Sequence, residues 1–419
     1  MEEKLHPIND SNQIYSKKFQ QMGFSTRAIH SGQQPDLIHG GVSTPIDLST
    51  TFAQIAPGEL KGKYDYSRAG NATRTSLEIQ MAALEGGKYS QIFSSGLAAT
   101  SAVITLLEVG DEVLCIDDVY GGTQRLFRKI SAVSHGVVFR FEPLDDLETV
   151  KPSLSKKTKL VWLESPTNPT LKVTDLKKCI EIIKEFNKDI IVCVDNTFLS
   201  PFNCNPLSLG ADIVVHSGTK YLGGHSDIIM GMVITNNSAL NDRLYYLNKC
   251  IGAVPSPFDC YMMIRGIKTL GIRMAKANTN ALAVASYLTK HKKVEKVLYP
   301  GLPDSKYHEV QKKQLRKGEG VGFGGVVSCY LKLDLKQIIK FIQNVKVWIL
   351  AESLGAVESL INHPALMTHA SVDPENRKKL GIHDNFIRFS VGIEDLEDLI
   401  GDLEQAFDAV DNEKNNTKF

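Results

Sequence analysis

Four short runs of consecutive apolar residues, rich in β-branched side chains, leave this chain few ways to fold. They are Val113–Ile116, Leu160–Leu163, Ile190–Val194 and Ile213–Val215. None alternates with polar residues, so each predicts a strand buried on both faces. The stretches between them have helical period. In residues 175–186, Leu176, Cys179, Ile180, Ile182, Ile183 and Phe186 mark a mostly helical face. Gln91–Ser94 predicts a further strand, followed by a helix over 97–107. Doubly buried strands alternating with amphipathic helices predict an α/β fold with a mainly parallel sheet flanked by helices.

The pattern changes after about residue 265. A long helix is expected near 278–291, then strands at 294–299 and 326–333, and a helix over 334–345. Phe386–Val391 alternates like a half-buried strand. A last helix from about Glu394 places Leu396, Leu399, Ile400, Leu403 and Phe407 on one face. These predict a large domain over 66–265 and a smaller α/β domain over 266–419. Residues 1–65 are mostly polar and weakly periodic, and the tail from about Asn412 is polar. The glycines of Gly320–Gly325 lead into a strand. A dinucleotide-binding loop instead follows a strand and opens a helix, so that reading is set aside.

Charge excludes some function classes. Lys plus Arg number 48 against 47 Asp plus Glu, a net charge of +1, which leaves no basic excess for gripping nucleic acid. No apolar run approaches the ~18 residues of a membrane span. The seven cysteines are scattered without a C-x-x-C pair, and the early acidic residues suit neither a signal nor a transit peptide. A reducing, cytoplasmic setting is expected. The 11 histidines form no zinc spacing, so no metal site is expected.

Six places can carry chemistry. Lys220 follows a buried strand, with Ser217 and Thr219 before it and Gly223 and Gly224 after it. A desolvated lysine there can form an imine, although a solvated loop lysine fits the same composition. Asp195 ends another buried strand, as a helix cap or as a partner for a buried cation such as a pyridinium nitrogen. Ser94-Ser95-Gly96 opens a helix, whose free amides suit a phosphate, or Ser simply caps it. Tyr120 can stack on a flat ring or cover the core. Arg68, beside Tyr66, is a phosphate ligand or a surface residue. Arg388, between Ile387 and Phe389, is a carboxylate clamp or a solvent-facing residue.

Taken together, these parts suit pyridoxal phosphate and an amino acid. Longer segments agree: YSRAGNATR at 66–74, FSSGLAAT at 93–100, DDVYGGT at 117–123, ESPTNPT at 164–170, VDNTF at 194–198, the lysine segment 212–226, GAVPSPFD at 252–259, ESLGAVESL at 352–360 and HPALMTHAS at 363–371. In these the chain resembles the cysteine/methionine-metabolism family of pyridoxal-phosphate enzymes, from about residue 22 to 410. The resemblance implies the aspartate-aminotransferase-like fold and pyridoxal 5'-phosphate as cofactor. It implies Lys220 as the Schiff-base lysine, Tyr120 as stacking and proton-carrying residue, and Asp195 as the acid on the ring nitrogen. Gly96, Leu97, Thr197, Ser217 and Thr219 fall at cofactor-binding positions. Tyr66 and Arg68 fall where the family reaches the phosphate of a neighbouring subunit. Arg388, Asn168 and Ser353 match the substrate-carboxylate site, and Glu352, Arg125 and Asp65 match positions near the distal end of the substrate.

The implied assembly is a homotetramer of two dimers with shared active sites, in which residues 1–65 form an arm reaching the neighbour. The implied reaction is γ-elimination of L-cystathionine, with slower hydrogen sulfide release from cysteine or homocysteine. Members that instead build cystathionine by γ-replacement on an activated homoserine ester remain the alternative. Three positions depart from common family patterns. Ala72 stands for a frequent Pro and Asp65 for a frequent Glu. Gly122 stands where methionine-cleaving members carry Cys.

Overall fold

A computed structural model of the chain describes residues 16–368, 370 and 374–411. The apolar runs become the centre of a seven-stranded sheet. Its strands are β1 (Tyr89–Phe93), β2 (Glu112–Ile116), β3 (Val138–Glu142), β4 (Thr158–Glu164), β5 (Ile191–Asp195), β6 (Ile213–Ser217) and β7 (Gly231–Thr235). The spatial order is β1-β7-β6-β5-β4-β2-β3. Only β7 runs against the others. The expected mainly parallel sheet is therefore found. Residues of β2 and nearly all of β4 are buried, as doubly covered strands require.

Helices cover both faces. One face packs Leu176, Cys179, Ile180 and Ile183 of α3 (Leu176–Phe186) and Ala99, Ala102 and Val103 of α2 (Gly96–Ile104) around Trp162. Trp162 meets Phe127 edge-on at 5.5 Å. The other face packs Leu77, Met81 and Leu84 of α1 (Ala72–Glu85) with Met263 and Ile267 of α4 (Pro257–Lys268). Asn71 caps α1 by accepting from the Arg74 amide. The expected helix near 278–291 is longer. It is α5 (Leu270–Lys290), whose Leu270 and Met274 join the core of the large sheet while Ala281, Val284 and Leu288 join the next core.

That next core lies on a five-stranded sheet of β8 (Val294–Leu298), β9 (Val326–Leu331), β10 (Ile349–Leu350), β11 (Leu360–Asn362) and β12 (Phe386–Ser390), ordered β8-β9-β12-β11-β10. Helices α6 (Leu335–Asn344) and α7 (Leu396–Asp411) close it through Ile338, Phe341, Leu403 and Phe407. An Asp334–Gln337 capping box starts α6. One reading needs correction: β12 is not half-buried, because all five of its residues are buried, Arg388 included. Its polar side meets the loop after β4 instead of solvent, where Arg388 Nη1 donates to Asn168 Oδ1. Beside it, the Gly325 amide just before β9 donates to the Tyr221 hydroxyl at 3.1 Å, and the Ser328 hydroxyl of β9 to the Pro169 carbonyl at 2.8 Å.

Among the described residues no helix is long and apolar enough to cross a membrane, and no group of acidic, His or Cys side chains could hold a metal.

Candidate active site

Parallel strands bring their carboxyl ends to one sheet edge, where ligands of open α/β folds bind. Here β1, β2, β4, β5 and β6 deliver Gly96, Tyr120, Asn168, Asp195 and Lys220 to that edge. A cavity of about 390 Å³ opens there, closed on the far side by Glu352, Ser353 and Arg388. Its lining includes Gly96, Leu97, Tyr120, Asn168, Asp195, Thr197, Ser217, Thr219, Lys220, Glu352, Ser353 and Arg388, all expected from sequence. Tyr66, Arg68, Asp65 and Arg125 are exposed and do not line it. Arg68 lies 5.4 Å over the Tyr66 ring, and Asp65 accepts from the Tyr66 amide. His369 and Ser371, in the expected segment 363–371, lie outside the described residues.

One corner of the cavity suits an anion. Ser95 caps α2 by accepting from the Ala98 amide at 3.1 Å, leaving the Gly96 and Leu97 amides in the first turn, which has no intrahelical acceptors. A side chain at position 96 would place its Cβ 3.0 Å from Cβ of Ser217 and 3.1 Å from its hydroxyl. Glycine keeps the corner open between the helix start and Ser217. The Ser217 amide donates to the Thr197 hydroxyl at 2.9 Å, tying the ends of β5 and β6 together.

Lys220 is held by its neighbours. Its Nζ donates to the Ser353 hydroxyl at 2.7 Å. Burial lowers its pKa to about 8; Arg388 adds to the shift and Glu352 opposes it. Ser353 sits at φ +89°, a conformation that L side chains rarely adopt. This turns its carbonyl to Arg388 Nη2 at 2.7 Å, while Arg388 Nη1 donates to Asn168 Oδ1 at 2.9 Å. Arg388 is only 2 % exposed, and its Nε is buried without a partner. A guanidinium so placed has a donor left for an incoming carboxylate. Burial lowers its pKa to about 10, still far above neutrality.

Asp195 lies beside Glu164 across β5 and β4, and accepts from the Thr197 amide at 3.0 Å. Burial raises the pKa of both carboxyls; each Asp195 hydrogen bond with Thr197 lowers that of Asp195. A cation against Asp195 would restore its charge, which suits a protonated ring nitrogen. The cradle at Gly96, the hydroxyls of Ser217 and Thr219, the acid at the sheet edge and the amine of Lys220 therefore fit pyridoxal phosphate.

The chain matches the family described as Cys/Met metabolism PLP-dependent enzyme over residues 25–408. The chain belongs to this family. A cystathionine gamma-lyase of Dictyostelium discoideum is 50% identical over 383 residues, covering 91% of this chain and 97% of that protein. A cystathionine beta-lyase of Coxiella burnetii is 50% identical over 382 residues, with the same coverage of 91% and 97%. Among solved structures, cystathionine gamma-lyase from yeast superposes with a TM-score of 0.89 at 46% identity, covering 94% of this chain and 99% of that one. This PLP-dependent family member also has site residues that were not singled out from sequence. Glu164, Thr123, Phe198 and Ile229 line the cavity. Glu164 stood within the segment ESPTNPT, and its place at the end of a buried run was the available signal.

Proposed function

We propose that this enzyme cleaves the γ-carbon–sulfur bond of L-cystathionine, with water converting it to L-cysteine, 2-oxobutanoate and ammonia. The observation that carries the reading is one cavity holding the amine of Lys220, the buried clamp of Arg388 and the carboxylate of Glu352. Cystathionine carries an amino-acid group at each end, so it can offer a carboxylate to Arg388 and an ammonium to Glu352. The exposed Arg125, close enough to lower the Tyr120 pKa, is placed to meet the distal carboxylate.

When bound, pyridoxal phosphate supplies the electron sink that makes the substrate Cα–H acidic. The Gly96 and Leu97 amides with Ser217 and Thr219 would hold its phosphate and Asp195 its ring nitrogen, while Thr197 steadies Asp195. Arg388, braced by Asn168 and Ser353, fixes the α-carboxylate and so aims Cα–H at Lys220. Nζ of Lys220 takes the proton from Cα, gives it back to the bound substrate–cofactor pair, and as a free amine again takes one from Cβ. Burial raises the pKa of the Tyr120 phenol against the pull of Arg125, so the phenol keeps its proton and can donate it to the departing sulfur.

Tyr66, Arg68 and the segment before them act across a subunit boundary in this proposal, as an arm over residues 1–65 whose first 15 residues lie outside the described ones. Leu37, Ile38, Val42 and Leu48 of that arm are each more than two-thirds exposed in the single chain, which supports a partner there. The assembly we infer is a tetramer of two dimers sharing their sites, with domains over 66–265 and 266–419. A cytoplasmic location is supported by seven unpaired cysteines, six of them buried. Hydrogen sulfide release from cysteine or homocysteine is a slower reaction of the same site.

Product analysis with L-cystathionine tests the main reading. Cysteine with 2-oxobutanoate is expected. Homocysteine with pyruvate would mean cleavage on the β side and would overturn it. No cleavage, but turnover of an activated homoserine ester with cysteine, would make the enzyme a γ-replacement member.

A further inference from the structure

Two buried carboxylates outside the steps above link the cavity walls. Asp118, fully buried just past β2, accepts at Oδ2 from the Thr167 hydroxyl at 2.6 Å, from the Thr170 amide at 3.3 Å and from the Thr170 hydroxyl. All three donors belong to the loop after β4. Glu164, at the end of β4 and 4 % exposed, accepts at Oε2 from the Tyr120 amide at 3.0 Å. That donor belongs to the loop after β2. The two loops thus exchange anchors. One carries the Tyr120 ring. The other carries Asn168, whose Oδ1 receives Arg388. An Asp117–Lys172 ion pair at 2.9 Å spans the same two loops near the surface.

We propose that Asp118 and Glu164 form a reciprocal clasp that positions Tyr120 and Asn168 as one unit, so that the ring-stacking wall and the carboxylate clamp cannot move independently. Both are positioning residues. Such a role explains why two carboxyls stay buried beside the cavity although burial raises the pKa of each. The kinetic part of the proposal rests on reading Arg388 as the carboxylate clamp; the structural part does not.

Amide hydrogen exchange on the full-length protein, with and without cofactor, tests the structural part. Thr170→Val removes one hydroxyl donor at nearly constant shape. It is expected to speed exchange in both loops, 165–171 and 117–122. Glu164→Leu is expected to do the same from the other side, while Glu164→Gln, which keeps an acceptor oxygen, restores protection. Faster exchange confined to the loop that lost its own bond would mean two separate anchors and would overturn the clasp. Thr170→Val should also raise KM for cystathionine ~10-fold with kcat changed by less than ~3-fold. In an Asn168→Ala background the same change should add less than ~2-fold, because the effect travels through Asn168. An unchanged KM, or full effects that multiply, would refute the coupling. Because exchange needs no turnover, a failed clasp is distinguishable from a wrong substrate.

Discussion

Lys220 must reach neutral pH partly as a free amine, and the structure states how far burial carries it there. With a pKa of about 8 instead of the usual 10.5, ~10% of the amine is unprotonated at pH 7, against ~0.03% for an exposed lysine. The difference is a gain of roughly 300-fold in nucleophile, equivalent to about 3 kcal/mol of disfavoured charge. The assay is trace acetylation of the cofactor-free protein from pH 6 to 11, reading the Lys220 peptide by mass spectrometry against surface lysines. Reactivity should rise tenfold per pH unit and level off near pH 8, while surface lysines rise past pH 10. Arg388→Leu removes a like charge and should move the Lys220 inflection upward. An inflection above pH 10 in the unaltered protein would refute the burial argument. The same shift has a linked effect on stability. The folded pKa lies below the unfolded one, so between about pH 8 and 10.5 the unfolded chain binds more protons. Stability of the cofactor-free protein should therefore rise with pH across that window through this group, its full penalty being present below about 8.

Two further outcomes are expected. Arg388→Lys keeps a charge but loses the fork that reaches both Asn168 and the Ser353 carbonyl. KM for cystathionine should rise ~10- to 100-fold with cofactor affinity nearly unchanged, as titration of the cofactor-free variant will read. Gly231→Ala would place a methyl carbon 2.0 Å from the Ser95 carbonyl oxygen, a backbone clash at the residue that caps α2. We expect a loss of about 1–3 kcal/mol in unfolding free energy together with weaker cofactor binding. Unchanged values of both would show that β7 can shift away without disturbing the cradle.

Much of the large sheet was legible because its signal is local. β2, β4, β5 and β6 are runs whose burial on both faces leaves no polar alternation, and their shortness and β-branched residues separate them from helices. The anion corner was legible for the same reason: strand, Ser, Gly and helix follow one another within a few residues. β3 and β7 were not found. Val138–Glu142 mixes Arg and Glu into an edge strand, and Gly231–Thr235 begins on a glycine and runs against its neighbours. The helix Ala72–Glu85 was also missed, since its buried residues include Thr73, Arg74, Ser76 and Gln80, which blur the apolar stripe.

The amino-acid order by itself determined the central strands β2, β4, β5 and β6 and which residue types stand at their ends, since these depend on neighbours within a turn or two. Only the tertiary structure decided that both faces of β12 are buried, and hence that Arg388 is a desolvated clamp and not a surface cation. Only it could set the Lys220 amine beside Ser353, 133 residues away, or exchange the anchors of Asp118 and Glu164 between two loops. Burial and charge act through space, and the groups that shift a pKa or hold a loop here are brought together by the sheet, not by the order of the chain.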